Sequence, residues 1–131
     1  MSRIRGTGNK DTELRLVAIL RAHRVTGWRR NSKLPGKPDF VFPAQRLALF
    51  VDGCYWHGCP KHYRRPKTHR AFWDAKIARN RQRDREVNRL LRAKGRRILR
   101  IWEHALARKH ETRTTARIMR ALAKPRRFRL A

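Results

Sequence analysis

The order of apolar and polar positions divides the chain into six elements. Behind Asp11 and Thr12, either of which can cap a helix, Leu14, Val17, Ala18 and Leu20 supply an apolar side, so residues 11–23 read as a helix. Gly27 closes that region, and "NSKLPGKPD" is turn chemistry, two prolines around a glycine. Phe40 and Phe42 alternate in a short strand. After a turn at Pro43-Ala44-Gln45, Leu47 to Val51 is an unbroken apolar run, as expected of a strand covered on both faces. A loop over residues 53–69 leads to a long helix, "RAFWDAKIARNRQRDREVNRLLRAKG", with Trp73, Ile77, Val87, Leu90 and Leu91 on its core side and Gly95 as its stop. "RRILRIWE" reads as a third strand, and residues 112–123 as a last helix ended by Pro125. The succession helix, strand, strand, helix, strand, helix predicts an α/β or α+β domain with a central sheet.

Length and charge sharpen this. With 131 residues the chain suits one domain over 1–131, with a basic arm at 1–10 and a basic tail at 124–131, and no internal repeat interrupts it. Its 40% hydrophobic content argues against a disordered chain. Lys and Arg number 36 against 9 Asp and Glu, a net charge of +27 that repels itself unless a polyanion neutralises it. Nucleic acid is the natural partner, because each neutralised phosphate releases a condensed counterion. An anionic membrane surface usually selects one basic amphipathic helix, whereas here basic residues run along the whole length. No stretch is apolar enough to span a bilayer, and "MSRIRGTGNK" has no signal-peptide core, so the expectation is a cytoplasmic protein. In a reducing compartment, two nearby cysteines point to metal or redox chemistry.

The candidate chemistry gathers in "FVDGCYWHGCPKH", residues 50–62. Cys54, Cys59 and His62 are three zinc-ligand types within nine residues; a tetrahedral structural site needs a fourth, for which His104 is a candidate and His57, His69 and His110 compete. The scarce acids are informative. Asp39 opens the first strand and Asp52 follows the apolar run, so antiparallel pairing would bring them to one rim, where a hard cation such as Mg²⁺ bridges carboxylates to phosphate oxygens. That arrangement suits metal-assisted phosphodiester hydrolysis, though turn capping or pairing with arginine would place aspartates equally well. His57 suits a general base or acid, or the fourth zinc position. Tyr55 and Trp56 suit stacking on bases or packing beneath the loop, while Trp73 and Trp102 read as core. Asn80 and Asp84 fall on the apolar stripe of the long helix, where a polar group needs partners.

Taken together, "LPGKPDFVFP", "RLALFVDGCYWHGCPKH", "FWDAKIARNRQRD" and "RRILRIWEHAL" resemble the very short patch repair (Vsr) endonucleases over nearly the whole chain. The resemblance implies a restriction-endonuclease-like core, a mixed sheet flanked by helices, and a structural Zn²⁺. It also implies Mg²⁺-dependent nicking of one strand of double-stranded DNA beside a T·G mismatch. Carried across by position, it makes Asp39 the metal-binding aspartate, His57 the catalytic histidine, Glu13 the glutamate that supports it, and Tyr55 and Trp56 the wedge. Cys54, Cys59, His62 and His104 become the zinc ligands, which leaves His57 for chemistry. Asp52, with a backbone carbonyl near Val51, is then expected to join Asp39 on Mg²⁺; Met1, Arg3, Arg5 and Lys37 are expected to contact DNA. Two departures stand out: Asp52 occupies the place of a second active-site histidine, and His104 that of a zinc-binding cysteine.

The expectation is therefore a monomeric bacterial endonuclease associated with the nucleoid, with mismatch-repair proteins as possible partners. Two other readings fit the same residues. One is a Vsr-like nuclease of restriction, phage defence or a mobile element, without mismatch specificity. The other is a non-catalytic, zinc-stapled nucleic-acid-binding module.

Overall fold

A computed structural model describes residues 10–54 and 67–123. Three helices, α1 (Lys10–Ala22), α2 (Arg70–Ala93) and α3 (Glu111–Ala123), flank a sheet of β1 (Arg29–Arg30), β2 (Phe40–Phe42), β3 (Leu47–Asp52) and β4 (Arg97–Trp102). The sheet runs β1-β2-β3-β4. β1 and β3 are both antiparallel to β2, and β4 is parallel to β3. The fold is thus α+β, one of the two classes the element order allows, with the mixed sheet that the resemblance implies. No described helix is long and apolar enough to cross a membrane.

Two apolar layers hold the sheet. Phe40, Phe42, Leu47, Leu49 and Ile101 pack with Leu16, Ile19 and Leu20 of α1 and Ile118 of α3. On the other face, Ala48 and Phe50 pack with Leu91 of α2, and Val87 and Ile98 close around them. The unbroken run in β3 is apolar because alternate residues serve both layers. Its last residue, Asp52, falls in the Ala48–Phe50 series and so looks toward α2.

The helix faces differ in detail from their prediction. On α1 the buried residues are Leu16, Val17, Ile19 and Leu20, while Leu14 is 45% exposed and Ala18 is also exposed. Apolar residues are nearly continuous from 16 to 20, so periodicity alone does not single out the face; the i, i+3, i+4 set of Leu16, Ile19 and Leu20 does. On α2, Ile77 and Leu91 are buried but Leu90 is exposed. Trp73 and Trp102 are half-buried, not core. β1 carries no strand pattern: two arginines form a short edge, of the kind that discourages further pairing.

The stop at Gly95 is as predicted. Its φ is +77°, its N–H donates to the Arg92 carbonyl at 2.9 Å, and the Arg96 N–H donates to the Leu91 carbonyl at 3.0 Å. This Schellman closure turns the chain into β4 within two residues.

Candidate active site

The rim where β2 begins and β3 ends carries the acids. The segment before β2 is shaped by residues with positive φ: Asn31 at 57°, Gly36 at 76° and Lys37 at 49°. Gly36 lies so close to α2 that a Cβ there would sit 2.5 Å from Val87 Cγ1. The loop is thereby seated on α2, and Pro38 behind it is fully buried. Gly36→Ala is expected to cost about 1–3 kcal/mol by denaturant titration, from the left-handed backbone and the clash together. Adding Val87→Ala should return only the steric part; a single variant as stable as wild type would show that the loop is not pinned there.

Asp39 emerges from this loop beside β3. Its Oδ2 accepts the N–H of Val51, the residue before Asp52, at 2.7 Å. The expected shared rim is therefore present. Burial is the main influence on Asp39 and pushes its pKa from 3.8 to about 6; the Val51 hydrogen bond opposes this, and the charges of Glu13 and Asp52 add to it. Asp39 and Lys37 line two adjoining hollows. One, of about 250 Å³, reaches Asp52, Arg100 and the Asn80–Arg83–Asp84 stretch of α2. The other, of about 400 Å³, reaches Glu13, Asn31 and Lys33.

Both neighbouring acids hold arginines. Glu13 Oε1 accepts from Arg30 Nη2 at 2.8 Å. Asp52, 8% exposed, accepts through Oδ1 from Arg100 Nη1 at 2.9 Å. Arg100 also lies 3.6 Å from Asp84 Oδ1, donates through Nε to Asn88 Oδ1 at 3.0 Å, and stacks 4.1 Å from the Phe50 ring centre. The sequence left pairing with arginine open for Asp52, and Asp52 takes it, but it singled out neither Arg100 nor Arg30. The signal for Arg100 was present: a charge inside a buried strand, between Leu99 and Ile101, needs an acid opposite. Asp84 takes up the partner that its place on the α2 stripe demanded.

The parallel pairing builds a second cluster. Asp52 is in register with Trp102, so residues two positions further on also meet: Cys54 Sγ lies 3.3 Å from His104 Nδ1. The Cys54 N–H donates to Glu103 Oε1 at 2.9 Å, and the His110 ring is 6.3 Å from that of His104. Two ligands on one tetrahedral zinc would be separated by about 3.5 Å, given Zn–S and Zn–N bonds of about 2.3 and 2.0 Å. The pair fits half of such a site. His69 is exposed at the start of α2. Among the described residues, no three His, Cys, Asp or Glu groups converge to hold a metal ion unaided. Met1, Arg3, Arg5, Tyr55, Trp56, His57, Cys59 and His62 lie outside the described residues.

Mg²⁺ suits the Asp39 edge on chemical grounds. The ion keeps most of its water and commonly binds through one or two carboxylates plus substrate phosphates. A half-buried carboxylate whose ionised form is disfavoured by burial and by two other acids is stabilised by an added cation.

The family model for the DNA mismatch endonuclease Vsr matches residues 1–65. The chain is 53% identical over 68 residues to the type II nicking enzyme V.NaeI of Lentzea aerocolonigenes, covering 52% of this chain and 41% of that protein. It is 45% identical over 76 residues to the type II nicking enzyme V.XorIIP of Xanthomonas oryzae, covering 56% and 55%. To the DNA mismatch endonuclease Vsr of Escherichia coli K12 it is 36% identical over 106 residues, covering 79% and 68%. The chain thus spans about two fifths and about half of the first two relatives.

Proposed function

Because the chain belongs to the Vsr family of DNA mismatch endonucleases, we propose that it is a DNA endonuclease that nicks one strand of duplex DNA, with Mg²⁺ at Asp39. The supporting observation is the presentation of Asp39: fixed by the Val51 N–H at 2.7 Å, and set where two hollows adjoin. Such a trough suits a phosphodiester backbone passing the carboxylate. When bound, Mg²⁺ supplies Lewis-acid polarisation of the phosphate and neutralises charge at the leaving oxygen. The chain's own groups do the rest. Asp39 holds the cation against the scissile phosphate. Lys37, which lines both hollows, draws the backbone in. Asp52 and Glu13 shape the field around Asp39.

In the same proposal His57, supported by Glu13, moves the proton of the attacking water or the leaving oxygen, and Tyr55 and Trp56 wedge beside the cut. Cys54, Cys59, His62 and His104 take Zn²⁺ and tie the catalytic loop to the end of β4. The restriction-endonuclease-like core and the T·G requirement belong to the proposal too, as does a cytoplasmic monomer. With 36 Lys and Arg, binding is expected to weaken steeply with salt.

A nicking assay tests this on paired duplexes that differ by one T·G mismatch, with Mg²⁺ and with EDTA. Mg²⁺-dependent cutting of the mismatched duplex alone is expected. Cutting of both would keep the nuclease and favour a role beside a restriction system, a reading to which the names of two relatives, type II nicking enzymes, lend weight. Tight binding without cutting would leave a binding module.

A further inference from the structure

The centre beside Asp39 holds more negative groups than one cation needs. Asp52 comes from β3 and Asp84 from α2, and a single guanidinium nitrogen, Arg100 Nη1, faces both at 2.9 and 3.6 Å. Phosphodiesterases with two cations hold them about 3.5–4 Å apart, where they clamp the attacking and the leaving oxygen. Here the charge between Asp52 and Asp84 is supplied by the protein. Nor is Arg100 a loose surface residue: its side chain is 19% exposed, it stacks on Phe50 at 4.1 Å, and its Nε is fixed on Asn88 at 3.0 Å. It lines the hollow that Asp39 lines. A guanidinium cannot be deprotonated in a protein and offers no site for water, so it neutralises without doing a cation's chemistry.

We propose that Arg100 occupies the seat of a second divalent cation, so that the centre takes one metal ion, on Asp39, with Asp52 serving as partner to Arg100. Arg100 is then a positioning residue. The inference rests on the cation at Asp39 put forward above and adds its number.

Mn²⁺ is the probe, titrated into the full chain in complex with duplex DNA and followed by electron paramagnetic resonance against the duplex alone. The wild type is expected to bind one additional Mn²⁺ with the spectrum of an isolated ion, and Asp39→Asn to lose it. Arg100→Met, which keeps apolar cover on Phe50, vacates the seat. It should bind a second Mn²⁺ whose spectrum is broadened by coupling to the first. It should also gain at least about 3 °C more in melting temperature from millimolar Mn²⁺ than wild type does. The double variant Arg100→Met/Asp52→Asn should return to one ion. Two coupled ions in the wild type would overturn the inference, as would a single ion in Arg100→Met. If Arg100→Met does not fold, the wild-type count and the double variant decide alone. A chain that binds one Mn²⁺ yet cuts nothing refutes the nuclease and keeps the inference. One that cuts with two ions refutes the inference only. One that binds none overturns both.

Discussion

Asp39→Asn is expected to abolish nicking and to make the protein more stable above pH 6. The loss of rate should be on the order of 10³-fold or more, since the substitution removes the charge that holds the cation against the phosphate. DNA binding should persist, because 36 basic residues remain and one of 9 acids is gone. The stability gain follows from burial. The folded protein raises the Asp39 pKa from 3.8 to about 6, so between these values the folded chain binds more protons than the unfolded one, and stability falls as pH rises. At roughly 1.4 kcal/mol per pH unit, the cost approaches about 3 kcal/mol once pH exceeds the folded value. Asparagine keeps an oxygen for the Val51 N–H and carries no charge. Urea titrations without added Mg²⁺ should therefore show the variant more stable by about 2–3 kcal/mol at pH 8 and level with wild type near pH 4. Equal stability at pH 8 would mean that the ionised carboxylate is not strained; undiminished nicking would remove Asp39 from the chemistry.

Removal of zinc should act in the opposite sense. Cys54 and His104 close the ends of two parallel strands at 3.3 Å, and the proposed ion would join them to Cys59 and His62. Structural zinc contributes its binding energy directly to folding. Cys54→Ser, or dialysis against a strong chelator, is expected to lower stability by at least about 3–5 kcal/mol and to stop nicking even in excess Mg²⁺. Native mass spectrometry should find one zinc per chain in the wild type and none in the variant. The two metals thus separate by experiment: withdrawing Mg²⁺ should silence the enzyme and lower its melting temperature only modestly, whereas withdrawing Zn²⁺ should silence it and lower the melting temperature far more. Full stability of Cys54→Ser would count against a structural metal at this corner.

Three of the four strands, the long helix and the Gly95 stop were legible in the sequence because each rests on local patterning. The common rim of Asp39 and Asp52 was legible too, from turn position and an assumed antiparallel pair. Three things were not. The buried face of α1 was obscured by its near-continuous apolar run. β1 was invisible because Arg29 and Arg30 become a strand only by pairing with Val41 and Phe40. The arginine partners of Glu13 and Asp52 come from sequence distances of 17 and 48 residues. Among 36 basic side chains, no local rule assigns Arg30 to Glu13 or Arg100 to Asp52.

The pairing of β3 with β4 also bears on when the site comes into being. The Asp39–Val51 contact spans 12 residues and belongs to a hairpin that closes locally. Arg100–Asp52 and Cys54–His104 span 48 and 50 residues and wait for β4 to return. Closing the longer loop costs about 1.3 kcal/mol more entropy than closing the shorter one, and such non-local pairing slows folding. A chain caught before β4 docks already has the charge to bind DNA, but its acidic rim lacks the Arg100 counter-charge and the Cys54–His104 corner. Under the proposed function, cutting would then be reserved to the finished fold, a useful restraint on a chain whose charge of +27 attracts a polyanion before folding is complete.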